Sequence, residues 1–279
     1  MGGLPAESAV ALRAEGLTKH FGGVHALSDY GLSVAGGDVV GLIGPNGAGK
    51  TTAFNLLTGV LRATRGRIWV GRTEVTGQRP EAFARAGVAR TFQNIRLFRD
   101  LSAWENVAVG LHMREGPGWL ATVLGLPSTR RRERRLRDRA AALLRLVGLG
   151  DAVDRRAGDL PYGLQRKVEI ARALATAPKV LLLDEPAAGM NPSETAQLTA
   201  MLDDLARGPE APALVVVEHD MRLVMNLCRR VQVLDRGVLL AEGTPAEVQR
   251  HPQVIEAYLG VGRGRTARRP AAAGAAAGA

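Results

Sequence analysis

No stretch constrains this chain more than Gly44-Pro45-Asn46-Gly47-Ala48-Gly49-Lys50-Thr51-Thr52. It fills every fixed position of G-x-x-x-x-G-K-[ST], a pattern whose backbone N–H groups wrap phosphate. Val39-Val40-Gly41-Leu42-Ile43 before it reads as a buried strand, and Thr52–Thr58 after it reads as a helix. Strand, glycine loop and helix together place an anion at a helix N-terminus, where unpaired N–H groups and the helix dipole both favour negative charge. Lys50 is then the residue that reaches the β- and γ-phosphates of a nucleotide, and Thr51 the hydroxyl for Mg²⁺.

Composition narrows what surrounds that loop. With 279 residues, 46% of them hydrophobic, the chain can bury a sizeable α/β core. The single cysteine, Cys228, cannot close an internal disulfide, which favours a reducing compartment. The first residues carry no basic stretch followed by an apolar core, and no run approaches the roughly 18 apolar residues of a membrane span. The net charge of +10 is concentrated in two places. Residues 130–139 hold seven arginines against Glu133 and Asp138, and Arg263, Arg265, Arg268 and Arg269 lie beyond Gly260. No aromatic residue falls in either run, so neither has the stacking groups of a nucleic-acid-binding face. Nucleic acid is therefore not expected as a partner.

Along the chain, residues 1–10 read as a loose leader. Strand-like runs follow at Ala11–Leu17 and Ala26–Val34, forming an N-terminal β-layer ahead of the phosphate loop. Phe21, between them and beside glycines, is a platform on which a purine could stack. Further strands are expected at Arg67–Val70 and Ala89–Phe92. A mostly helical segment, residues 97–177, follows with helices at Ala103–Met113, at Arg130–Val147 and from Gly163 to Ala177, interrupted by the turn Gly116-Pro117-Gly118. Val180-Leu181-Leu182-Leu183-Asp184-Glu185 reads as a buried parallel strand delivering two carboxylates at its carboxyl end, where open α/β sheets bind ligands. Asp184 suits Mg²⁺, and Glu185 is free to polarise a water. Leu214–Val217 repeats the arrangement, ending in Glu218-His219-Asp220. A helix at 221–229, strands at Val231–Asp235 and Val238–Glu242 and two short helices complete the fold, and residues 261–279 have the composition of a disordered tail.

The order of these motifs resembles the ATP-binding subunits of ABC transporters over residues 11–260. The phosphate loop is followed by Gln93 in the Q-loop position, Leu160-Pro161-Tyr162-Gly163-Leu164-Gln165 in the signature position, then Asp184-Glu185 and His219. The resemblance implies an α/β fold: a P-loop NTPase core with a parallel sheet, an antiparallel N-terminal layer and a helical subdomain. It also implies that two subunits sandwich two ATPs, each held by one phosphate loop and the opposing signature. In that scheme Phe21 stacks adenine, and Gln93 senses Mg²⁺ and the attacking water. Glu185 is the base, His219 contacts the γ-phosphate, and Tyr162, Gly163 and Gln165 face the partner's nucleotide. Asn191 stands where the family often has aspartate.

A narrower resemblance is to the ATPases of branched-chain amino-acid importers. It rests on Arg90-Thr91-Phe92-Gln93-Asn94-Ile95-Arg96-Leu97-Phe98, Pro186-Ala187-Ala188-Gly189-Met190-Asn191-Pro192 and Val217-Glu218-His219-Asp220-Met221, and on the ending from Gly243-Thr244-Pro245 to Tyr258-Leu259-Gly260. It implies a peripheral subunit on the cytoplasmic face of the cell membrane. There the subunit hydrolyses MgATP to drive import through a permease, which is fed by a solute-binding protein. Phe98 and Leu101 are candidates for docking a permease helix. Related importers for amides and urea share much of the pattern; a lipopolysaccharide exporter ATPase and a non-transport ABC ATPase are the alternative readings. Pro161 replaces the serine of L-S-G-G-Q, which removes a hydroxyl donor from the signature.

Overall fold

The computed structural model describes residues 10–115, 127–208 and 210–259. Residues 1–9 of the expected leader, the Gly116–Gly118 turn and the tail from Gly260 lie outside these residues, and Val10, expected as the leader's last residue, already belongs to the first strand. Two sheets carry the architecture. The first is antiparallel, in the order β2-β1-β4-β5, built from β1 (Val10–Phe21), β2 (Val24–Ala35), β4 (Arg65–Val70) and β5 (Thr73–Glu74). The second has the order β10-β9-β3-β8-β7-β6. In it β3 (Val39–Ile43), β6 (Val88–Arg90), β7 (Val180–Asp184), β8 (Ala213–Val217) and β9 (Arg230–Asp235) are parallel, and β10 (Val238–Gly243) folds back antiparallel on β9.

Alternation along the central strands divides the core in two. Val39, Ile43, Leu181, Leu183, Leu214 and Val216 face one apolar cluster. Val40, Leu42, Val180, Leu182, Val215 and Val217 face the other. A side-chain period of two makes this inevitable once the strands are buried on both faces, and it explains why they read as unbroken apolar runs. The second cluster is closed by the antiparallel sheet and by α1 (Lys50–Leu57), through Leu12, Leu17, Leu27, Tyr30, Phe54 and Leu57.

Helices cover the first face: α3 (Ala103–Glu115), α4 (Pro127–Leu146), α5 (Tyr162–Ala175), α6 (Pro192–Ala206) and α7 (Met221–Leu227). Among them α3 packs on both α5 and α4, with Val107, Leu111, Leu136, Ala140, Leu144, Ile170 and Leu174 at the contact. The α4 arginines Arg131, Arg134, Arg135, Arg137 and Arg139 are exposed, because Leu136, Ala140 and Leu144 occupy the buried stripe. Helix α2 (Pro80–Ala86) precedes β6, and α8 (Pro245–Arg250) and α9 (Pro252–Leu259) are the last elements of the described residues. No described helix is long and apolar enough to cross a membrane.

Several boundaries differ from the sequence expectation for identifiable reasons. β1 and β2 run on to Phe21 and Val24 because the Gly22-Gly23 turn joins them as a hairpin, pairing His20 with His25 and Phe21 with Val24. Phe92 falls beyond the end of β6 at Arg90, since the last β6-side ladder bond is Thr91 N–H to Leu182 O. α7 stops at Leu227, and Cys228 is already extended, with φ −79° and ψ 135°. Cys228 is a free buried thiol, and burial pushes its pKa up to about 12.

Candidate active site

The site forms where β3, β7 and β8 end. Loop 44–49 leaves β3 and turns into α1 through glycines at positive φ. At Gly44 (φ 152°) a Cβ would stand 2.2 Å from the Leu234 carbonyl, and at Gly49 (φ 105°) 2.7 Å from that of Ala26. Only glycine meets both the conformational and the steric demand. The first bond inside the helix is Ala53 N–H to Gly49 O, so the N–H groups of Lys50, Thr51 and Thr52 precede it, as helix starts require. The loop leaves Asn46, Gly47 and Thr51 exposed, half-buries Pro45, Gly49, Lys50 and Thr52, and buries Gly44 and Ala48. Lys50 donates from Nζ to Gly44 O (2.6 Å) and Pro45 O (3.0 Å), lying back along the loop. Partial burial lowers its pKa, and the nearby Glu185 carboxylate opposes that shift.

At the end of β7, Asp184 Oδ2 accepts from Arg90 Nη2 at 2.6 Å. The same guanidinium donates from Nη1 to Asn55 Oδ1 of α1 (2.7 Å) and lies over the Phe54 and Phe92 rings. Arg90 therefore ties the helix after the phosphate loop to the acid at the end of β7. Glu185 follows with φ 46°, a left-handed conformation that non-glycine residues seldom adopt and that recurs at functional sites. Glu185 Oε2 accepts from Gln93 Nε2 at 2.9 Å and lies 3.8 Å from His219 Nδ1. The fold thus brings together three residues that are far apart in sequence.

The remaining candidates lie around this centre. Phe21, 47% exposed at the β1–β2 hairpin tip, has the Lys19 ammonium 5.1 Å from its ring centroid. Tyr162 and Gly163 open α5, with Pro161 as N-cap residue (φ −52°, ψ 151°) and no side-chain cap. The Leu164 and Gln165 N–H groups bond to Pro161 O, so those of Tyr162 and Gly163 begin the helix ahead of them. Gln165 turns inward, and its Nε2 donates to Leu160 O at 2.8 Å, closing its own turn. Asn191 caps α6, its Oδ1 accepting from the Ser193 and Glu194 N–H groups in a capping box. Phe98 is 52% exposed and Leu101 is half-buried.

Three residues bear on the site that sequence reasoning left without a role. Arg90 is one. Arg166 is another: wholly buried, it donates to Phe92 O (2.6 Å), Gln93 O (2.7 Å) and Glu169 Oε2 (2.7 Å), and reaches the Tyr162 hydroxyl at 3.3 Å. It joins the first turn of α5 to the loop carrying Gln93. The Arg166–Glu169 spacing of three was visible as a helical ion pair, but its burial was not. The third is Glu218, 1% exposed between β8 and His219. An acid directly after an apolar strand is the signal that the sequence carries for it.

The chain is similar to known proteins over most of its length. The family model described as ABC transporter matches residues 27–188, and that of the branched-chain amino acid ATP-binding cassette transporter matches residues 238–263. Over 249 residues the chain is 45% identical to the high-affinity branched-chain amino acid transport ATP-binding protein BraF of Pseudomonas aeruginosa, covering 89% of this chain and 97% of BraF. It is 43% identical to the corresponding protein LivG of Escherichia coli at the same coverage. Among solved structures, it resembles the ADP conformation of MJ1267, an ATP-binding cassette of an ABC transporter. The TM-score is 0.77 at 32% identity, covering 90% of this chain and 99% of that one. Likeness of this extent reaches far beyond a shared phosphate loop, and the chain belongs to the ABC transporter family of ATP-binding proteins.

Proposed function

We propose that this chain binds and hydrolyses MgATP to power import of branched-chain amino acids through a membrane permease. The observation that carries the reading is the convergence of Lys50, Asp184, Glu185, Gln93 and His219 at or beyond the ends of four adjacent strands, with Glu185 bound to Gln93 and 3.8 Å from His219. The kinship to BraF and LivG supports the solute class.

Loop 44–49 offers N–H groups to the phosphates, Pro45 having none and that of Ala48 being bonded to Pro45 O, while Lys50 exchanges its two carbonyl partners for phosphate oxygens. That exchange replaces neutral acceptors by charged ones, which form shorter and stronger bonds. Thr51 and Thr52 add the N–H groups of the helix start, and Phe21 stacks the adenine. Phosphoryl transfer then depends on positioning and charge rather than on covalent chemistry. Glu185 orients and deprotonates the attacking water, Gln93 holds Glu185 in place, and His219 bonds the γ-phosphate.

The donor set fits Mg²⁺. The Thr51 hydroxyl is exposed beside the loop, and Asp184 has one oxygen held by Arg90 and the other free of that pair. Among the described residues no group of three His, Cys, Asp or Glu is gathered for a metal. That suits an ion that takes one or two carboxylates and completes its shell with water and phosphate. Thr51, Asp184 and Gln93 would hold it, and it would neutralise charge on the β- and γ-phosphates.

A second subunit completes the cage. Tyr162 and Gly163 point their N–H groups at the partner's nucleotide, and the partner's signature does the same for the ATP on Lys50. Phe98 and Leu101 dock a permease helix at the cytoplasmic face of the membrane, and a solute-binding protein delivers the amino acid from the other side. The helical subdomain, residues 97–177, carries the signature toward the partner.

The test uses Glu185→Gln. ATP affinity should stay at its wild-type value while hydrolysis nearly disappears. Wild-type turnover by that variant would refute the assignment of the base. Uptake of labelled leucine into proteoliposomes holding the chain and its permease should depend on Lys50. Uptake of urea or an amide instead would move the solute class.

A further inference from the structure

Resting on the hydrolytic reading above, we propose that Glu218 is a positioning residue for hydrolysis: its buried carboxylate braces the Glu185 turn and the His219 turn against each other. The carboxylate spans the two loops, accepting from both. Oε1 accepts from the Ala187 N–H at 2.9 Å. Oε2 accepts from the His219 N–H at 3.1 Å and the Asp220 N–H at 3.4 Å. Ala187 lies two residues after Glu185, inside the turn closed by Ala188 N–H to Glu185 O. On its other side, the Glu185 N–H bonds to Val217 O, the residue just before Glu218. The left-handed Glu185 is thus pinned from both flanks by the end of β8.

Such an arrangement has a physical reason. A non-glycine residue at φ 46° is strained and keeps that conformation only where its surroundings hold it there. Glu218 supplies that restraint with a charge-assisted bond, roughly twice as strong as a neutral one. A buried carboxylate is itself unfavourable, and burial raises its pKa while the N–H bonds pull it down. An apolar residue would fill the same space without that cost, but it would leave three N–H groups unpaired. The carboxylate fixes both the proposed base and the backbone that carries His219, so the two keep their 3.8 Å relation.

Glutamine is the discriminating substitution. Both carboxylate oxygens accept, one from each loop. The amide of Glu218→Gln has one oxygen and one NH₂, so either orientation sets a donor against an N–H. Glu218→Asp keeps the charge but is one methylene too short to reach both loops. ATPase rate and ATP affinity are measured on the full-length chain with each substitution. Since misplacement of about 1 Å costs on the order of 100-fold, kcat should fall about 10- to 100-fold in both, with KM and Kd for ATP within about twofold of wild type. An unchanged kcat in Glu218→Gln would overturn the proposal. So would a parallel loss of ATP binding, which would make Glu218 a brace of the whole domain. Failure of the wild-type chain to hydrolyse ATP would instead refute the hydrolytic reading itself.

Discussion

Replacing Arg166 by methionine tests whether the link between the signature turn and the Gln93 loop is a stability element. The guanidinium is wholly buried and Glu169, its ion-pair partner, is 2% exposed. Methionine approximates the length of the side chain and removes its charge. It strands the Glu169 carboxylate, whose remaining contacts are Arg172 at 4.0 Å and the Arg96 N–H at 3.4 Å. It also takes the donor from the Phe92 and Gln93 carbonyls. Removing one partner of a buried pair costs about 3–5 kcal/mol, because the other charge stays buried. At about 2–4 °C per kcal/mol for a domain of this size, the melting midpoint should fall by about 6–20 °C. Adding Glu169→Leu removes the stranded charge and leaves the orphaned carbonyls, so the double variant should lie about 1–3 kcal/mol below wild type. Calorimetric melting of the full-length chain and both variants measures these values. A single variant that melts within about 2 °C of wild type, or a double variant no more stable than the single one, would refute the reasoning.

Other outcomes follow from neighbouring contacts. Pro161→Ser restores a hydroxyl at the signature and supplies an N-cap acceptor to α5, so it should stabilise the helix by about 1 kcal/mol. It should also raise turnover of the reconstituted transporter, since one preorganised donor is worth about 10²–10³ in rate; an unchanged rate in a folded variant would show that the missing hydroxyl does not limit turnover. Arg90→Lys keeps the charge but loses the fork that binds Asp184 and Asn55 together. The Mg²⁺ concentration for half-maximal hydrolysis should rise severalfold, and a titration showing no shift would remove Arg90 from the magnesium site. Asn191→Ala removes both cap bonds of α6 and should cost about 1 kcal/mol, read as a lower melting midpoint.

Much of the fold was legible from local pattern. The strand, glycine loop and helix at Val39–Leu57 appear as expected, because glycine spacing and an apolar run each determine conformation locally. β7 and β8 appear at Val180–Asp184 and Ala213–Val217, and the helices on either side of residues 116–126 stand within a few residues of their expected ends. The short β5 and α2 were not expected, having too few residues to build a period. Candidate residues were legible where a motif delivers them to a strand end, as with Asp184, Glu185 and His219. Arg90, Arg166 and Glu218 were not, because a charged side chain looks the same in sequence whether it is solvated or enclosed.

By itself, then, the sequence determined the phosphate loop, the buried parallel strands, the order of motifs and the family. All of these depend on backbone conformation and side-chain period within a few consecutive residues. Only the tertiary structure decided that Gln93 bonds Glu185, that Arg90 holds Asp184, and that Glu218 braces the loops of Glu185 and His219. Those contacts join residues 31 to 94 positions apart. Their strength comes from removal from water, a property of the packed sheet and helices rather than of any segment.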